Sequence, residues 1–356
     1  MARRALKLPR VSVVLTARDA DGSIGRAIES VLNQTLSDLE LVVVDRGSRD
    51  RTRSLAERYA ERDIRVEVID AADGSHSGAL VRGCAVARGA HLLFLNQRDW
   101  ISPSFLDVAM ACVEADGVDV VVPEFSIDSE QADGARMSSI IAHEARVWSD
   151  AASFHRAVPA LVESGAFSLL AGKILDRRVL ELALKDAGGF DDERGLMRSI
   201  LGAIDRGSAV EGSRYHLTVA PPVRPVFDPD MFVRCVRDHE GLKGLYDSWG
   251  LLDDEASRTA LYRHHLRDIV RCIENASVGS GAITSNERRE VVQDIIDAPS
   301  TRACVDALRS ASHEFGIIYT PIARRNAMAC CMGARIQEIA SRALMPSSPT
   351  TLPVNV

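Results

Sequence analysis

The sequence predicts an α/β fold: a mainly parallel, Rossmann-like sheet with helices between its strands, extended by a helical C-terminal region. Two observations carry this reading. Short apolar-rich runs recur at Val11–Leu15, Leu39–Val44, Val66–Ile69, Leu92–Leu95 and Val118–Val122, the first two with the pattern of strands buried on both faces. Segments with helical apolar spacing lie between them. Strands that alternate with helices pair in parallel through right-handed crossovers. Open sheets of this kind bind ligands beyond the carboxyl ends of their strands. Thr16–Asp19 and Asp45–Asp50 therefore mark where a site is expected.

Taken in order, Val11, Val13, Val14 and Leu15 make the first strand. Ile24, Ala27, Ile28, Val31 and Leu32 then form one helical stripe, with Ser23 as its N-cap. Leu39 and Leu41–Val44 make the second strand, and Gly47 suits the turn that follows. Ser48 or Asp50 can cap the next helix, marked by Leu55, Ala56, Tyr59 and Ala60. Val66, Val68 and Ile69 form a third strand. Ala79, Gly83, Val86 and Ala87 give a small-faced helix able to lie close to the sheet. Leu92–Leu95 form a fourth strand, ending in Asn96-Gln97-Arg98-Asp99-Trp100. Ser102 as N-cap and Pro103 at the first helical position open a helix through Phe105, Ala109 and Cys112. Val118–Val122 is the fifth strand.

The second half reads as mostly helical. Asp238–Tyr246 and Glu255–Ile273 are helices, and Ser285-Asn286-Glu287-Arg288 begins another with Val291, Val292, Ile295 and Ile296 as its stripe. A last helix is expected from about Ile322 to Leu344. It carries Arg324, Arg325, Arg335 and Arg342 beside Met328, Met332, Ile336 and Ile339. Such a helix either packs on the core or a partner, or lies on a membrane surface with its arginines toward anionic headgroups. Residues 1–9 read as a basic tail and 346–356 as a disordered one.

Composition excludes several classes. The net charge of -7, with no basic face, argues against a nucleic-acid partner. The seven cysteines include no C-x-x-C pair, and Cys330-Cys331 are adjacent, so reduced thiols of a cytosolic protein are expected. No apolar run approaches the ~18 residues of a spanning helix. The start, M-A-R-R-A-L-K-L-P-R, lacks the apolar core of a signal peptide. No G-x-G-x-x-G follows the first strand, which argues against a dinucleotide oxidoreductase. The nine histidines, His264-His265 included, show no metal spacing.

Three motifs then carry a resemblance. E-S-V-L-N-Q-T spans Glu29–Thr35, V-V-D-R-G-S-R-D spans Val43–Asp50, and A-R-G-A-H-L-L-F-L-N-Q-R-D-W spans Ala87–Trp100. In order and spacing they resemble family 2 glycosyltransferases of the A-type fold. G-K-I-L-D-R-R-V-L at Gly172–Leu180 and G-G-F-D-D at Gly188–Asp192 extend the likeness, over roughly residues 10 to 220. The resemblance implies a nucleotide-diphospho-sugar transferase domain over 10–228, with a nucleotide-binding half (10–125) and an acceptor half (126–228), then a helical region over 229–345. It implies inverting transfer from a nucleotide-sugar, a UDP-sugar by expectation, to a surface polysaccharide, cell-wall or lipid-linked glycan. Thr16, Arg18, Asp19, Asp45, Gly47, Ser48, Asn96 and Arg98 become candidate nucleotide contacts, and Asp99 the candidate metal ligand. Asp192 and Glu193 are candidates for the general base. The expected setting is cytoplasmic, either free or peripheral at the inner face of the cell membrane.

The departures from the family pattern matter equally. Its paired aspartates after the second strand are Asp45-Arg46 here, and its D-x-D-D is Asn96-Gln97-Arg98-Asp99. Its arginine-asparagine pair on the third helix falls at Leu80-Val81. Its proline and tyrosine after the first strand become Thr16 and Arg18. A lone carboxylate is a poor site for a magnesium-type ion, whereas the Arg98 guanidinium can pair phosphate oxygens bidentately. The expectation is a requirement for divalent Mn or Mg that is weak or absent. A second expectation stands beside it: a catalytically inactive homologue serving as a binding or assembly module. In that case Asp45 is a turn aspartate and Asp191–Glu193 a solvated acidic turn.

Overall fold

The computed structural model describes residues 8–71, 76–130, 136–142, 144–186, 193–219, 226–281 and 283–343. The expected tails therefore lie largely outside the described residues, as do the G-G-F-D-D motif and Asp192. The first elements are β1 (Val11–Ala17), α1 (Ile24–Leu32), β2 (Leu39–Asp45), α2 (Thr52–Ala60), β3 (Val66–Asp70), α3 (His76–Val86) and β4 (His91–Asn96). They follow the order read from the sequence. Next come β5 (Trp100–Ile101), α4 (Phe105–Asp116), β6 (Val120–Glu130), β7 (Arg136–Ile141), β8 (Arg146–Trp148), α5 (Ala151–Glu163), β9 (Ile174–Asp176), α6 (Arg177–Asp186), α7 (Glu193–Ala203) and β10 (Gly207–Val219).

These strands form one mixed sheet in the order β3-β2-β1-β4-β9-β6-β10-β5. The first four are parallel neighbours. The fifth apolar run does not sit next to the fourth. Short β9 inserts between β4 and β6, antiparallel to both, with Ile174 and Leu175 facing Leu92–Leu93 on one side and Val120–Val121 on the other. β6 and β10 then pair in parallel. Every residue of β1 and β2 is buried, which explains why their runs carry no polar alternation. Against this sheet pack the apolar stripes of the helices, with Ile24, Ala27, Ile28 and Val31 of α1 fully buried. Burial of Ile24, Ile28 and Val31 contributes about 1.5–3 kcal/mol each. Gly83 lets α3 close on the sheet: a Cβ there would stand 2.4 Å from Val14 Cγ1 and 3.1 Å from Val44 Cγ2.

Two helix starts differ from the sequence reading. α4 begins at Phe105, with Ser104 rather than Ser102 at its N-cap. Ser102 belongs to the β5 edge instead: its Oγ lies 3.2 Å from His216 Nε2, and its N–H donates to the Arg214 carbonyl. His216 in turn stacks on Trp100 at 3.5 Å and meets Asp128 at 3.0 Å. α2 begins at Thr52 with Arg51, not Ser48 or Asp50, at its N-cap position; Asp50 accepts the Thr52 N–H at 2.9 Å, while Ser48 is drawn into the preceding turn.

The contact pattern divides the chain into two units, the first holding residues 8–155 and 165–219, the second 156–164 and 226–343. The second contains α8 (Met231–Ser248), α9 (Glu255–Val278), α10 (Ser285–Asp297), α11 (Pro299–Ala307), a 3-10 segment (Arg309–Ile318), α12 (Tyr319–Ala323) and α13 (Ala327–Ala343). Its core includes Leu266, Ile269, Ile273, Val292, Ile296, Ile318, Ile322 and Cys330. Thr284 and Glu287 close a reciprocal capping box at the start of α10. The single last helix expected from Ile322 is two helices. Arg325 takes φ +54°, and the Asn326 side chain accepts the Ala329 N–H at 3.0 Å, starting α13 afresh. All seven cysteines are free thiols, five of them buried. No helix among the described residues is long and apolar enough to cross a membrane.

Candidate functional site

Register assembles the strand ends. Ala17 pairs with Asp45 and Thr16 with Asn96, so the loops after β1, β2 and β4 leave the sheet at one edge. The β1 and β2 loops are bonded to each other. Asp45, 2% exposed, accepts from Ser48 Oγ at 2.5 Å. Ser48 Oγ accepts the Asp19 N–H at 3.1 Å, and Asp19 accepts the Arg49 N–H at 2.7 Å. Gly47 at φ +76° and Asp19 at φ +47° supply the backbone reversals. The Arg18 N–H donates to the Gln97 side chain, joining the β4 loop to this frame. The structure thus brings Thr16, Arg18, Asp19, Asp45, Gly47, Ser48 and Asn96 together at one edge. The Asp45 carboxylate is engaged inside this frame.

Asp99 is fully buried. Its oxygens accept from Tyr215 Oη at 2.6 Å, the Thr218 N–H at 2.9 Å and Asn96 Nδ2 at 3.2 Å. Burial outweighs these donors and pushes its carboxyl up to about 6. Coordination of a metal by Asp99 would forfeit these bonds, and the adjacent candidate oxygens of the family pattern are Asn96 and Arg98. Among the described residues no three carboxylate, histidine or cysteine side chains converge as a metal cradle. Among the described residues, the strand-end side chains do not fit a divalent ion. Arg98 is exposed and meets no carboxylate among the described residues. Its loop is pinned by Arg26, which donates to the Arg98 carbonyl at 2.6 Å and to Thr218 Oγ1 at 2.8 Å.

A second cluster joins this edge through non-local pairs. His76 is the first residue of α3 and Glu193 the first of α7, and their side chains meet at 3.3 Å. His76 Nδ1 lies 3.2 Å from an Arg46 nitrogen and 3.5 Å from Thr16 Oγ1. Arg46 can only donate, so the tautomer that satisfies both sides carries its proton on Nε2, toward Glu193. Glu193 also accepts the Leu170 N–H at 2.7 Å. Burial raises its carboxyl, but His76, that N–H and the charge of Lys173 together hold it below its ordinary value. The result is an ionised, partly exposed carboxylate beside the strand ends, the state a general base requires. Below it, the fully buried Lys173 donates to the carbonyls of Leu169 (2.6 Å) and Ala171 (3.3 Å). It faces the Phe125 ring at 5.2 Å, and burial lowers its amine to about 7. Burial and the nearby Arg18 lower the Arg46 guanidinium as well.

His76, Arg46, Lys173 and Tyr215 were not singled out by the sequence reading. Arg46 was visible as a departure from the family pattern. His76 had no local signal, because its partners stand 30 to 117 residues away in sequence.

Comparison with known proteins places this geometry. Residues 12–178 match the model of glycosyl transferase family 2. The chain is 35% identical over 114 residues to the uncharacterized glycosyltransferase EpsJ of Bacillus subtilis (strain 168), covering 32% of this chain and 33% of that protein. It is 32% identical over 133 residues to the succinoglycan biosynthesis protein ExoO of Rhizobium meliloti (strain 1021), covering 37% and 38%. The chain thus spans about a third of the length of the curated relatives it matches. A crystal structure of S. aureus TarS 1-349 in complex with UDP-GlcNAc superposes with a TM-score of 0.62 at 14% identity, over 93% of this chain and 92% of that one. At that identity the likeness carries the fold, the A-type glycosyltransferase fold with its C-terminal helices.

Proposed function

We propose that this chain transfers a hexosyl group from a UDP-sugar, with inversion, to a growing surface polysaccharide, cell-wall or lipid-linked glycan at the cytoplasmic face of a membrane. The observation that carries the reading is the convergence at one sheet edge of the Asp45-x-Gly47-Ser48 frame with the ionised carboxylate of Glu193. Support comes from the family match over residues 12–178, from the TarS complexes with UDP and UDP-GlcNAc on the same fold, and from a relative in succinoglycan biosynthesis.

In this reading the frame of Thr16, Asp19, Asp45, Gly47 and Ser48 holds the nucleoside end of the donor. Glu193 accepts the proton of the acceptor hydroxyl while its oxygen bonds the anomeric carbon on the face opposite the nucleotide. The bond from that carbon to the β-phosphate oxygen breaks, and UDP leaves with the electron pair. Developing charge on a leaving group must be met by oriented positive groups. Arg18, Arg46 and Arg98 occupy strand-end positions that are neutral or acidic in the family pattern, and the reading assigns them to the diphosphate. Asp192 precedes Glu193 outside the described residues and shares the proposal.

A second reading, the inactive binding module, is favoured by the engagement of Asp45 and Asp99 within the protein. UDP release measured over a panel of UDP-sugars, with lipid-linked and polysaccharide acceptors, separates the two. Turnover by any pair supports transfer. Nucleotide binding without turnover supports the module.

A further inference from the structure

The outward face of α13 is apolar. Met328, Met332, Ile336 and Ile339 are 58%, 59%, 53% and 66% exposed. They recur at i, i+4, i+8 and i+11, one continuous stripe. The opposite face is spent on the helical core, where Ala327, Cys330 and Ala334 are at most 3% exposed. A helix on a protein surface ordinarily turns charged residues to water; this one turns four large apolar side chains there.

Charge tells what the stripe faces. From Phe315 to the C-terminus the sequence holds four arginines against the single Glu338, in a chain whose net charge is -7. Arg324, Arg325 and Arg335 are exposed, at the start of α13 and along its flank. Asp297 approaches Arg325 at 3.6 Å, a solvent-exposed pair. An apolar stripe bordered by arginines matches a helix lying in the plane of an anionic bilayer. A second copy of the chain fits less well, because a specific dimer interface takes roughly 20–30 residues a side.

We propose that α13 docks on an anionic lipid surface, with Met328, Met332, Ile336 and Ile339 at the acyl boundary and Arg324, Arg325 and Arg335 among the headgroups. The docking stands independently of the transfer reaction, although it would hold the chain where a lipid-linked acceptor lies.

The test is co-sedimentation of the full chain with phosphatidylcholine vesicles, with and without phosphatidylglycerol, at ~0.1 M salt. Wild type partitions at least tenfold more strongly onto the anionic vesicles. Met332→Ser with Ile336→Ser and Ile339→Ser reduces that partitioning at least tenfold while leaving the far-UV spectrum unchanged, since all three side chains point outward. Arg335→Glu reduces it several-fold, and Ile336→Trp, which suits the interface, preserves it. Equal binding by wild type and the triple variant overturns the proposal, as does wild type that ignores both vesicles. So does a concentration-dependent dimer abolished by the same triple substitution, which assigns the stripe to a second copy. Vesicle binding that appears only after removal of residues 344–356 assigns the stripe to the chain's own tail.

Discussion

Glu193→Gln separates a catalytic from a structural role for the carboxylate at the head of α7. The amide keeps an oxygen to accept the Leu170 N–H, now at 2.7 Å. What it loses is the contact with His76, between side chains 27% and 32% exposed. A hydrogen bond between such half-buried side chains contributes about 0.5–1.5 kcal/mol, so the melting temperature should fall by no more than ~6 °C. The effect on turnover is of a different order, because a positioned base contributes about 10²–10⁴-fold. The assay is UDP release, in the presence of acceptor, from the UDP-sugar that most raises the melting temperature. kcat should drop at least 100-fold with the donor KM changed less than about threefold. A companion variant, His76→Gln, removes one of the influences holding the Glu193 carboxyl low. Its pKa then rises, and the acid limb of the pH–rate profile moves to higher pH. A Glu193→Gln enzyme within tenfold of wild-type kcat would refute the role of base. A melting temperature lowered by more than ~10 °C would make the residue a structural one.

Gly83→Ala places a methyl group 2.4 Å from Val14 Cγ1. Overpacking of about 1–3 kcal/mol should outweigh the ~1 kcal/mol gained in helix propensity; an unchanged or raised melting temperature would contradict the close α3–sheet contact. In the helical unit, His239 and His265 stack at 3.9 Å, and burial lowers them to about 4 and about 3. The unfolded chain protonates near 6.5 and the folded one far lower, so stability is whole above ~6.5 and declines as pH falls toward 4. The decline is roughly 2 kcal/mol per histidine at pH 5. Urea titrations at pH 7 and 5 measure it, and His239→Phe with His265→Phe should flatten the difference.

The parallel half of the sheet was legible because its strands are mainly apolar runs, and the runs ended where the site edge is. β9 was not, since three residues after a lysine give no periodic signal; Ile174 and Leu175 matter through partners on two other strands. The break before α13 escaped because helical spacing continues on both sides of Arg325, and an arginine at φ +54° has no compositional mark. Asp99 read as a metal ligand on the family pattern. Its saturation comes from Tyr215 and Thr218, 116 and 119 residues further along. Lys173 stood in a recognised motif, but only the fold reveals that its amine is sealed among Phe125, Phe167 and two carbonyls.

The most direct measurement is a calorimetric titration of UDP into wild type and Arg98→Ala, each in EDTA and in manganese. Arg98 has no carboxylate partner among the described residues, so its removal frees no opposing charge to offset the loss. A charge-assisted hydrogen bond to phosphate is worth about 1.5–3 kcal/mol, which predicts roughly 10- to 150-fold weaker binding by Arg98→Ala. Wild-type affinity should agree within about threefold between the two buffers. Wild-type binding that vanishes in EDTA, or that ignores the loss of Arg98, would contradict a diphosphate site built on arginines.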